Sequence, residues 1–168
     1  MPDIPMLPDV GLSRQPNADF DFFMGIWRCR HRYLVRRLAE CHDWIEFDGS
    51  CAARRILGGW GNCDECHVDF PGDPYRGVSL RTWDPQKRYW SVYRLDSRSP
   101  GRISPPVSGR FDKGVGLFFG EDDWSGQPVR VRCVWSRIAP DSARWEQAFS
   151  VDRGRSWETN WYMDFRRV

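Results

Sequence analysis

One run in the sequence gathers groups able to hold a metal or attach a haem: Cys63-Asp64-Glu65-Cys66-His67. A Cys-x-x-Cys-His run is the pattern of c-type haem attachment, in which His67 would serve as axial ligand. The same groups, joined by Cys51 or His42, could hold zinc, but one Cys-x-x-Cys knuckle lacks the second pair that marks a closed zinc site. The segment also has the composition of a strand, in which Cys63 and Cys66 project to opposite faces. Covalent haem belongs to an exported, oxidising compartment, and the first residues, broken by Pro2, Pro5 and Pro8, do not have the form of a signal peptide. The expectation is therefore small apolar filler rather than a metal site.

The other reactive groups occur singly. No Ser–His–Asp order, glycine-rich phosphate loop or paired-carboxylate motif stands out. Glu121-Asp122-Asp123 adjoins a turn and reads as a solvated rim rather than a calcium site. One kind of catalysis needs little more than a single acid or base in an aromatic box: a cofactor-free cyclase or isomerase, whose ring faces stabilise cationic intermediates. His31, Tyr33 and Arg81 are the candidate catalytic residues for it, with Tyr93 and Gln147 as further polar groups.

Such groups need elements to aim them. From Asn17 the sequence predicts a helix of about two turns, with Asp19 and Asp21 in its first turn and Phe20, Phe23 and Met24 on one face, ending by Gly25. The period then changes from helical to two. Trp27, Cys29, His31, Tyr33 and Val35 alternate with Arg28, Arg30, Arg32 and Arg36, a strand with one wet and one covered face. The remainder divides at turn residues into strands over 44–57, 63–70, 76–84, 88–96, 106–111, 115–120, 128–138, 143–152 and 156–167. Short connections imply hairpins. A meander of about ten strands closes most readily into an antiparallel up-and-down β-barrel, because closure removes exposed edges. The fold class is thus all-β, a barrel over residues 17–168 closed by the short helix and preceded by a flexible tail over 1–16.

Alternation assigns an interior. Trp135, Trp145, Gln147, Thr159 and Trp161 fall on inward faces of the late strands, as Trp27, His31, Tyr33 and Phe47 do on the early ones. Strands 76–84 and 88–96 can face either way: Val78, Leu80 and Thr82 or Ser79, Arg81 and Trp83 in the first, Trp90, Val92 and Arg94 or Tyr89, Ser91 and Tyr93 in the second. A ligand-holding interior favours Arg81 and Tyr93. The ligand-binding set is then Phe47, Tyr93, Trp135, Trp145, Gln147, Thr159 and Trp161. The chain has ten tryptophans, and large rigid rings around a few polar groups suit a small apolar or planar ligand.

The bulk numbers exclude other classes. The net charge of +2, with acidic residues nearly balancing the arginines, gives no field for nucleic acid or a membrane surface. No stretch reaches the about 20 apolar residues of a membrane helix. A cytoplasmic location follows as the expectation, with the six cysteines mostly reduced.

Gly25-Ile26-Trp27, placed after a short helix and opening the first strand, resembles the Gly-x-Trp signature of the lipocalin and calycin superfamily. That resemblance implies that Trp27 plugs the closed end and that a basic residue of the last strand, Arg166 or Arg167, packs across it. Residues 17–168 also look like a family of uncharacterised bacterial lipocalin-like domains. The likeness rests on Asp19-Phe20-Asp21-Phe22, Leu57-Gly58-Gly59, Gly77-Val78-Ser79-Leu80-Arg81, Arg144-Trp145-Glu146-Gln147-Ala148-Phe149 and Trp157-Glu158-Thr159-Asn160-Trp161, and implies the fold but no activity. Nitrobindins are lipocalin-like barrels that hold ferric haem through one histidine, and similarity to them would give that part to an inward residue such as His31. The leading expectation is a small-molecule-binding barrel needing no cofactor. A cyclase or isomerase of a secondary metabolite and a haem protein are the alternatives, and a homodimer is left open.

Overall fold

The computed structural model describes residues 16–168. The tail expected over 1–16 therefore lies, but for Pro16, outside the described residues. Ten strands follow one another: β1 (Gly25–Leu34), β2 (Trp44–Ile56), β3 (Gly61–Val68), β4 (Tyr75–Asp84), β5 (Tyr89–Asp96), β6 (Val107–Asp112), β7 (Val115–Trp124), β8 (Gln127–Ala139), β9 (Ser142–Ser150) and β10 (Glu158–Arg167). Each pairs antiparallel with its successor, and β10 returns to β1 with Trp27 opposite Arg167 and Tyr33 opposite Trp161. The sheet is a closed up-and-down barrel, as the turn spacing predicts, and among the described residues no edge strand is left unpaired.

The arginine-marked alternation of β1 holds. Trp27, Cys29 and His31 are buried, whereas Arg28, Arg30 and Arg32 are exposed. On the wet face Arg30 reaches across to β2, donating to Asp48 at 2.9 Å and Glu46 at 3.1 Å.

The N-terminal helix is corrected. Only a single 3-10 turn, Asp21–Phe23, forms before β1. The Asn17 side chain caps the Asp19 N–H in a local turn instead of opening a helix. The carbonyls that would carry a helix forward are taken from outside. Trp27 Nε1 donates to Phe23 O at 2.8 Å, and Arg167 donates to Phe22 O and Met24 O at 2.6 Å each. The turn still plugs the barrel: Phe20 and Phe23 are almost wholly buried and meet Trp27, Trp90, Phe111, Trp135 and Phe165.

Two inward assignments are also corrected. In β5, Trp90 and Val92 are buried and Tyr93 sits on the outer face. The register explains why: Arg81 stands opposite Val92, and Leu80 opposite Tyr93. Directly paired residues share a face, so Arg81 and Tyr93 cannot both point inward. In β10 a bulge falls between Thr159 and Trp161. Asn160, with no exposed surface, turns inward as the extra residue. Thr159 stands opposite Ala148, on the other face from the paired Gln147 and Trp161.

The cysteines depart from the expectation of mostly reduced thiols in one pair. Cys51 and Cys66, directly opposite across β2 and β3, form a disulfide, and the other four are free. Cys63 and Cys66 lie on opposite faces of β3, paired with Leu80 and Gly77. The two cysteines of the Cys-x-x-Cys-His run therefore do not face one another, whereas Asp64 and Cys66 share the inner face with Cys51.

Candidate functional site

Because the strands alternate in direction, the loops after β1, β3, β5, β7 and β9 lie at one end of the barrel, opposite the aromatic plug. Between them runs a cavity of about 360 Å³. Near the plug its wall is aromatic, with Phe23, Phe118, Trp135 and Phe165; further along it meets Trp145, Phe149 and Trp161, and near the open end Tyr33, Tyr75 and Trp124. The rings pack edge to face, Trp145 on Trp161 at 5.6 Å and Tyr33 on Trp161 at 5.4 Å, an arrangement that aromatic quadrupoles favour.

Set into this wall is a small polar group. Arg94 of β5 donates through Nη1 to Gln147 Oε1 at 2.9 Å and through Nη2 to Cys133 Sγ at 3.3 Å, and Gln147 Nε2 donates to Asn160 Oδ1 at 3.0 Å. The bulge in β10 is what lets Asn160 join. Burial pushes the Cys133 thiol pKa up, so this sulfur remains a neutral acceptor. Arg94 also lies 5.5 Å from the ring centre of Trp145.

Arg37 comes from the loop between β1 and β2. Its guanidinium lies 4.2 Å from the Tyr33 ring centre and 4.7 Å from that of Trp124. Nε and Nη2 are buried without a hydrogen-bond partner. Burial pulls its pKa down to about 10; the nearby charge of Arg94 acts the same way, and Tyr33, Tyr75 and Glu158 oppose.

The candidate catalytic residues separate. Tyr33 lines the cavity. Arg81 lines it too, but is bound in an ion pair with Asp64, both side chains under 5% exposed, and donates to Asn62 Oδ1 at 3.0 Å. His31 is fully buried and does not line the cavity. Its ring stacks on Phe47 at 4.8 Å, and its Nδ1 accepts from Trp161 Nε1 at 3.1 Å. That bond places the proton of the neutral ring on Nε2, which lies over Gly49, where a Cβ would come within 2.7 Å of it. Burial holds the imidazole pKa down, at about 4.

Of the expected ligand-binding residues, Trp135, Trp145, Gln147 and Trp161 line the cavity together. Phe47 does not line the cavity but stacks beside His31 and meets the cavity residue Tyr33, while Tyr93 and Thr159 face away. Sequence reasoning missed Arg37 and Arg94. Arg94 lay in the rejected alternative for its strand, and fixing the register from Arg81 would have found it. Arg37 follows the last residue of the alternating strand, and nothing in its local pattern marks it as inward.

No protein-family model matches the sequence, and no curated protein does. Solved structures do resemble it in fold. Rv2717c from M. tuberculosis has 10% sequence identity and a TM-score of 0.59, over 92% of this chain and 99% of that one. An S-type phycobiliprotein lyase, CPES from Guillardia theta, has 10% identity and a TM-score of 0.58, over 89% and 90%. At this identity the likeness is one of fold alone. Among the described residues no helix is long and apolar enough to cross a membrane.

Proposed function

We propose that this barrel binds one small, planar, mainly apolar molecule in its interior. The observation that carries the reading is the cavity itself: about 360 Å³, walled by Trp135, Trp145, Phe149 and Trp161, with Gln147 and Arg94 held at fixed positions among the rings. A filled core would leave no such volume. Apolar walls with a few placed polar groups are how small-molecule sites combine area with orientation. The fold shared with an S-type phycobiliprotein lyase is in keeping with a ligand-holding barrel. The finer resemblance, to uncharacterised bacterial lipocalin-like domains, adds no chemistry to this reading.

The test is a fluorescence titration with the neutral planar probe N-phenyl-1-naphthylamine. The native protein should bind it saturably at one site. Trp145→Ala and Trp161→Ala should each weaken binding by about tenfold, the loss expected when a large ring is removed from a contact, while the barrel stays folded. Binding unaffected by either substitution would place the probe elsewhere and end the proposal.

A further inference from the structure

Five arginines and four aspartates line the cavity, which leaves one positive charge over, and the fourth aspartate, Asp123, accepts from the Gly126 N–H at 2.7 Å rather than from an arginine. Arg81 is paired with Asp64, Arg98 with Asp96 and Arg102 with Asp122. Arg37 and Arg94 line the same cavity, and among the described residues neither is in a salt bridge. Arg94 spends two of its N–H groups on neutral acceptors, Gln147 and Cys133. Arg37 is set against aromatic faces, with Nε and Nη2 unsatisfied. Guanidiniums in a wall of rings that cannot solvate them are costly without a paired counter-charge, and Glu158, the carboxylate that acts on Arg37, is held by the Leu38 N–H at 2.8 Å and forms no salt bridge with it among the described residues. Rings soften that cost through their negative faces but give no hydrogen-bond acceptor in the plane of the guanidinium.

The distribution along the barrel is directional. The plug end offers Phe23, Phe118, Trp135 and Phe165, and Arg37 sits at the end where the loops open. We propose that the ligand is an amphipathic acid: a planar apolar body inserted towards the plug, and an oxyanion, carboxylate or sulfonate, seated between Arg37 and Arg94. This rests on the cavity-binding reading above and specifies its ligand class. Two oxygens of a carboxylate or a sulfonate match the fork of an arginine with two parallel hydrogen bonds, which an ammonium could not supply in the same geometry. The Arg94–Gln147–Asn160 chain fixes one side of the seat, since Gln147 is held from behind and Arg94 is held by Gln147.

The experiment compares two probes with one skeleton, 8-anilinonaphthalene-1-sulfonate and neutral N-phenyl-1-naphthylamine, at equal ionic strength. The native protein should bind the sulfonate at least about tenfold more tightly, the effect of one charge-assisted contact in a partly desolvated site. Arg37→Met and Arg94→Met should each remove most of that preference, read as the ratio of the two probes' affinities in each variant. A native protein that binds both probes equally, or variants that keep the preference, would overturn the anion seat while leaving the cavity reading intact. Failure of both probes to bind the native protein would overturn the two together. The native comparison decides even if a methionine variant does not fold.

Discussion

The guanidinium of Arg167 lies 4.2 Å from the ring centre of Trp27 and donates to the carbonyls of Phe22, Met24 and Pro140 at 2.6, 2.6 and 2.8 Å. One side chain thus ties the last strand, the 3-10 turn and the β8–β9 hairpin to the plug of the barrel. Gly25 makes room for it: a Cβ there would come within 2.7 Å of Arg167 Nη1, and its φ of +118° suits glycine. Either Arg166 or Arg167 could fill this role from sequence; the register gives it to Arg167, because Trp27 stands opposite Arg167 and not Arg166.

Arg167→Met should therefore lower the unfolding free energy by about 2 kcal/mol, the worth of charge-assisted bonds at a partly solvated site. Arg166→Met should change it by less than about 0.5 kcal/mol, as for a surface substitution with no special contact. Urea unfolding of the two variants beside the native protein gives the comparison.

Arg81 and Asp64 form an ion pair with almost no solvent contact. Removing one partner strands the other charge in the barrel, so Asp64→Asn should cost about 3–5 kcal/mol. The double variant Arg81→Met, Asp64→Leu strands no charge and should recover much of that loss. Equal destabilisation of the single and double variants would show that the pair's own attraction, and not the stranded charge, sets the cost.

His31 makes stability depend on pH. Its imidazole has a pKa of about 4 in the folded barrel, because burial disfavours the charged ring, whereas in the unfolded chain it titrates near 6.5. The unfolded chain therefore binds the proton first as pH falls. The stabilisation is fully present above about pH 6.5 and is lost progressively towards pH 4, reaching about 3 kcal/mol. Unfolding free energies measured at pH 7.5 and 4.5 should differ less in His31→Gln than in the native protein. An unchanged difference would mean that carboxylates alone set the acid sensitivity.

The barrel was legible because its signals are local and repeated. The alternation after Gly25, the turn residues between strands and the Gly25-Ile26-Trp27 entry all concern neighbours in sequence. What escaped depends on partners far along the chain. Asn160 reads as an outward residue until a bulge opposite β9 turns it in. Tyr93 and Arg81 each look eligible for the interior, and only their pairing across β4 and β5 shows that one excludes the other. The helix expected before β1 has good local credentials, yet Arg167, distant in sequence, takes the carbonyls it would need. Arg37 lies in a loop with no periodicity, so its burial among four rings has no sequence signal.

The central claim is that a ligand occupies the barrel interior, and the tryptophan indole N–H resonances report on it most directly. The chain carries ten tryptophans, of which Trp124, Trp135, Trp145 and Trp161 line the cavity. In a ¹H–¹⁵N spectrum titrated with 8-anilinonaphthalene-1-sulfonate, the indole signals of those four should shift together and saturate at one equivalent, while Trp27, Trp44, Trp60, Trp83, Trp90 and Trp157 stay in place. Shifts confined to the second group, or spread evenly over all ten without saturation, would contradict a ligand held inside the barrel.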